Sequence, residues 1–133
     1  MHTFESSENL SKLVASTADL CFRPWIHSVI NLSNNCIENQ STDSLDELIL
    51  RIECRDLDGI RNHEHDIELE LFRSGKDFNL VVGLIGIPNQ PILWHGKHSV
   101  WMEGNSGKRC CAPNYGNEFE SFARRLRALL IST

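Results

Sequence analysis

Cys110 and Cys111 stand side by side, directly after Lys108 and Arg109. Neighbouring cations favour the thiolate, so thiol chemistry at this spot is the first possibility to weigh. A vicinal pair, however, closes a strained ring and lacks the two-residue spacer of thiol-redox motifs. Two reduced thiols, one packed at a loop base, account for the same residues, because free cysteine often behaves as a small hydrophobe. His95 and His98 could join the cysteines around zinc, which takes four nitrogen or sulfur ligands in a tetrahedron. Positions three apart on a regular strand face opposite ways, so these imidazoles converge only if the chain bulges at Gly96. No pair has the usual ligand spacing, and neither a metal nor another cofactor is expected.

The other chemical signals are weaker. His98 shares parity with Val100 and Met102, which turns it inward and gives it need of a hydrogen-bond partner. As a general base it would lack a nucleophile or acid beside it. The run Gly104-Asn-Ser-Gly-Lys-Arg109 is only superficially like a phosphate loop: its spacing is short, Arg109 stands where the hydroxyl residue belongs, and no helix follows directly. His63 and His65 fall in a charged connection. Asp43, Asp46, Glu47, Asp56 and Asp58 are a solvated face and a turn. No catalytic set emerges.

The chain of 133 residues holds 13 Lys plus Arg against 18 Asp plus Glu, a formal net charge of −5. Without a basic surplus or stripe, binding to nucleic acid or to an anionic membrane surface is not expected. The length suits a single domain spanning residues 1–133, large enough to bury a core unaided by disulfides. No run of about 18 apolar residues occurs, and the start lacks the basic and apolar regions of a signal peptide. A cytoplasmic protein with reduced thiols is the expectation.

Periodicity then supplies the elements that must position these residues. Leu10, Leu13, Val14, Thr17, Ala18 and Cys21 fall on one helical stripe. Pro24 suits the start of a second helix, continued at the same period by Ile26, Val29, Ile30, Ser33 and Ile37. Asn34-Asn35 and Asn39 to Ser44 form a polar exit. Leu48, Leu50, Ile52 and Cys54 alternate with Ile49, Arg51, Glu53 and Arg55, which favours a strand over the helix that a capping box at Ser44 would open. Residues 67–72 alternate likewise, and Ser74-Gly-Lys-Asp77 marks a hairpin. Residues 78–87 are apolar on both parities, as in a strand covered on both sides. Residues 92–102 form a fourth strand bent near Gly96. Phe119, Phe122, Ala123, Leu126, Leu129 and Leu130 stripe a last helix, with Asn117 and Glu120 at its start.

The sum is an α+β fold: two N-terminal helical segments, a four-stranded antiparallel meander and a C-terminal helix packed on the sheet. Cystatin-like and secretion-chaperone-like domains have comparable layouts, a likeness of fold that carries no function. Strand parity puts Leu48, Leu50, Ile52, Ile67, Leu69, Leu71, Phe78, Leu80, Val82, Leu84, Ile92, Trp94, Val100 and Met102 on the core face. The opposite face keeps Ile49, Phe72, Val81, Ile85, Ile87, Leu93 and Trp101. Water alone is a poor neighbour for so much apolar surface. The expected function is therefore non-enzymatic, a protein-binding or self-associating module, with Phe72, Val81, Ile85 and Trp101 at a protein or homodimer interface. The alternative is a small-molecule, metal or thiol-redox site at the 103–117 loop, rimmed by His95, His98, Cys110 and Cys111.

Overall fold

The computed structural model describes residues 7–32, 47–74 and 77–131. Helix α1 spans Ser7–Cys21 and buries Leu10, Val14, Thr17 and Ala18, the stripe expected from its period. Thr17 sits on that face because its hydroxyl donates to the Leu13 carbonyl at 2.7 Å, satisfying the one polar atom it brings inside. The helix ends before Pro24, and no second helix begins there. Strand β1 occupies Ile26–Asn31 instead. The residues Ile26, Val29 and Ile30 match a helical period by coincidence. In the strand His27, Val29 and Asn31 face inward while Ile26, Ser28 and Ile30 face outward, so the true period of two is hidden by a buried histidine and exposed isoleucines. The polar exit around Asn34 and the capping box at Ser44 lie outside the described residues.

Among the described residues six strands, not four, pair in sequence order as one antiparallel sheet. Strand β2 is Glu47–Arg55, β3 is Ile67–Ser74 and β4 is Asp77–Leu84. Their register places Leu50 opposite Leu69 and Leu69 opposite Val82, as parity predicts. A short 3-10 turn, His63–His65, precedes β3. Residues 85–91 are not strand, so Ile85 and Ile87 lie beyond the sheet rather than on its second face. The expected fourth strand is two, β5 at Ile92–His95 and β6 at Ser99–Met102, joined by a tight turn in which Gly96 N–H donates to the His98 carbonyl at 3.2 Å.

This hairpin reverses the expected parity. Val82 pairs with Leu93 and Leu93 with Trp101, so Leu93 and Trp101 face the core while Ile92, Trp94, Val100 and Met102 face away. Sequence alternation cannot decide between them, because both parities of each short strand are apolar, and a one-residue shift across the preceding turn exchanges the faces. Helix α2, Gly116–Ile131, closes the core with Phe119, Phe122, Ala123, Leu126 and Leu130. Leu129, expected on that stripe, is exposed. Asn117 lies inside the helix rather than before it, and Glu120 bonds Trp101 instead of its own helix start. Phe22, just after α1, packs against Phe119 and Phe122 with ring centroids 5.2 and 5.3 Å apart, tying the two helices together over the sheet.

Candidate functional site

The core residues of α1 and α2 join one apolar cluster with the inward side chains of β2, β3, β4, β5 and β6. Pairing registers order the other face into rows. One row runs Ile49, Glu70, Val81, Trp94, Val100 from β2 to β6. The next runs Ile30, Arg51, Glu68, Gly83, Ile92, Met102 from β1 to β6. On the far side of the first row Glu47, Phe72 and Asn79 follow one another. The β4–β6 end of the face is thus almost wholly apolar and the β2–β3 end is charged.

Trp94 is 41% exposed at the centre of the apolar end. Its indole N–H donates to the Asn79 side-chain oxygen at 3.1 Å, which holds the ring in one orientation. Gly96 is needed for this contact, since a β-carbon there would come within 2.4 Å of that same oxygen. An exposed tryptophan held rigid between Val81 and Val100 presents a large apolar area at little entropic cost on binding. Around the charged end, Arg55 and Arg61 lie near Glu53 at 3.9 and 3.7 Å. The Glu70 carboxyl is raised above the usual carboxylate range, first by its hydrogen bond with Glu47, then by burial and by the charges of Glu47 and Glu68. Arg51 has its Nε buried without a hydrogen-bond partner.

The residues singled out in the sequence divide between the two faces. Phe72 and Val81 do lie on the face away from the helices, half-buried. Trp101 does not: it is 6% exposed beneath α2, where its indole N–H donates to Glu120 at 2.7 Å and its ring meets Tyr115 and Phe119. Ile85 is exposed in the connection after β4, its amide bonded to the Asp66 carbonyl. The residues that sequence parity misassigned are Ile92, Trp94, Val100 and Met102. The signal that could have found Trp94 was Asn79, a polar residue within an apolar strand that needs a donor nearby.

His95 faces the core side, half-buried, with Nδ1 lacking a partner. Burial, followed by the charges of Arg127 and Arg124, holds this imidazole below its usual range. His98 is exposed in the β5–β6 turn rather than turned inward. Cys110 packs against the core and Cys111 is exposed, both as free thiols. Among the described residues no group of three or more His, Cys, Asp or Glu is placed to hold a metal. The 104–109 loop binds itself: the Glu103 carbonyl accepts from Gly107, the Ser106 hydroxyl donates to the Glu103 carboxylate, and the Lys108 amide donates to that hydroxyl. With these groups satisfied internally, and a carboxylate among them, the loop does not offer an anion cradle.

One further constellation has the residue types of a thiol triad. Asp19 accepts from the His27 ring at 2.9 Å, and His27 is the direct cross-strand neighbour of Cys54 on the core face. Cys54 is wholly buried, and burial together with the Asp66 carboxylate pushes its thiol up to about 11. A sealed, protonated thiol is a packing group and not a nucleophile. The histidine is nonetheless informative. Burial lowers its pKa from 6.5 despite the opposing bond to Asp19. Folded His27 therefore stays neutral while the unfolded chain takes up a proton as pH falls below 6.5. Its stability contribution is complete above that value and declines as pH drops toward the folded pKa. Urea midpoints should thus fall between pH 7.5 and 5.5, and His27→Asn should flatten the slope; an unchanged slope in that variant would contradict this assignment.

No curated protein and no solved structure shows significant similarity to the chain. Among the described residues no helix is long and apolar enough to cross a membrane. A family match does extend over residues 11–129, from the first helix through nearly all of the last, and the chain therefore belongs to the family described as "Domain of unknown function (DUF8659)".

Proposed function

We propose that the chain is a non-enzymatic protein-binding or assembly module, acting in the cytoplasm, that docks a protein partner on the sheet face opposite its helices. Nucleic acid is not its ligand on this reading, since the formal charge is −5. The observation that carries the proposal is Trp94, exposed yet held by Asn79, among Val81, Val100, Ile92 and Met102. Aromatic anchors in such surroundings dominate binding energies at protein interfaces. The layout, helices on one side of an antiparallel meander, keeps its likeness to cystatin-like and secretion-chaperone-like arrangements within this proposal, as a matter of fold alone.

Trp94→Asp is the test. The ring is partly exposed, so the change should cost about 1–3 kcal/mol, chiefly the bond to Asn79, and the melting temperature should fall by several degrees with the fold retained. Light scattering and affinity capture should show a complex, with a partner or with a second copy, that the variant loses. A wild type that stays monomeric and captures nothing, or a complex indifferent to the substitution, would overturn the proposal.

A further inference from the structure

The row through Trp94 contains one carboxylate. Glu70 stands between Ile49 and Val81 in register, with Phe72 two residues along its own strand. Any partner that covers this row takes Glu70 out of water, and a buried carboxylate left unpaired opposes binding strongly. The described residues do not supply the compensating charge. Among the described residues no ion pair reaches Glu47, Glu68 or Glu70, while the Arg55 and Arg61 guanidiniums are directed to Glu53 and Asp66. On β2 and β3 this face carries Glu47, Glu53, Glu68 and Glu70 against Arg51 and Arg55. A second copy would bring the same acidic excess to the interface.

Resting on the docking reading above, we propose that this face recognises a segment of another protein that presents an arginine or lysine among apolar side chains. Glu70 and Glu47 accept the cation, and Trp94 with Val81 and Val100 takes the apolar neighbours. Glu47, beside Glu70 on this face, is the chief cause that raises the Glu70 carboxyl, a crowding of acidic groups that a cation relieves. Charge-assisted bonds of this kind also set which partner is accepted, because a neutral or acidic segment leaves the carboxylates buried and unpaired.

A random peptide library displayed and selected against the full-length chain at pH 7 tests this. Enriched sequences should carry Arg or Lys beside apolar residues. Their affinity should fall about tenfold or more in Glu47→Gln/Glu70→Gln and in Glu70→Gln alone. Glu118→Gln, on the exposed start of α2, should leave it unchanged. Peptides whose binding needs Trp94 but neither a basic residue nor these carboxylates would overturn the cation-recognition inference alone. Absence of any peptide whose binding depends on Trp94 would remove the docking reading with it.

Discussion

Trp101→Ala should lower unfolding stability by about 3–5 kcal/mol, the range for deleting a large buried aromatic side chain. The ring fills the space between Leu93 of β5 and the α2 side chains, and it packs on Tyr115 and Phe119. Alanine would leave a cavity there and strip Glu120 of its 2.7 Å donor. Trp101→Phe should recover most of the packing but not the hydrogen bond, and so fall between the two. Trp94→Ala, on the other face, should cost about 1–2 kcal/mol, because the ring there is partly exposed and its chief loss is the bond to Asn79. Urea unfolding of the three variants decides the matter. A larger loss at position 94 than at position 101 would mean that the parity of the last hairpin is reversed.

A loss of about 3 kcal/mol should follow Asp66→Ala, at the opposite end of the sheet. Both Arg61 NH groups donate to its carboxylate at 2.8 Å, and the Cys54 amide donates at 2.9 Å. These bonds lock the 3-10 turn before β3 onto the end of β2. Burial alone would raise this carboxyl, yet the Arg61 bond, the Cys54 amide and the Arg61 charge together hold it below its usual range. The unfolded chain therefore takes up this proton first as pH falls. The ion pair's contribution is complete above the ordinary value of 3.8 and disappears as pH drops through the folded pKa. Asp66→Asn, which keeps an acceptor for Cys54, should lose less than alanine. Urea midpoints at pH 7 that coincide for wild type and Asp66→Ala would contradict the role given to this pair.

Residues with unambiguous alternation were legible in the sequence. Leu48, Leu50 and Ile52 against Ile67, Leu69 and Leu71 have Ile49, Arg51, Glu68 and Glu70 between them, so one register buries the most apolar surface and keeps the charges out. The same holds for the stripe of α1 and most of that of α2. Strand β1 was not legible, because its buried position is a histidine whose pairing with Asp19 spans eight residues and includes its own backbone N–H. The final hairpin was not legible either. Ile92, Leu93 and Trp94, like Val100, Trp101 and Met102, are apolar in succession, and the face each takes is set by the length of the 85–91 connection rather than by residue type. The candidate site was therefore half visible: the second apolar face and Phe72 and Val81 upon it could be read, whereas the exchange of Trp101 for Trp94 needed the register.

Photo-crosslinking reports most directly on whether that face meets another protein. With a benzophenone amino acid at Val100, irradiation in the host cell should give an adduct of defined mass, and Trp94→Asp in the same chain should abolish it. The same probe at Leu129, on the exposed side of α2, should give none. An adduct at Leu129 alone, or one at Val100 that survives Trp94→Asp, would contradict docking on the sheet.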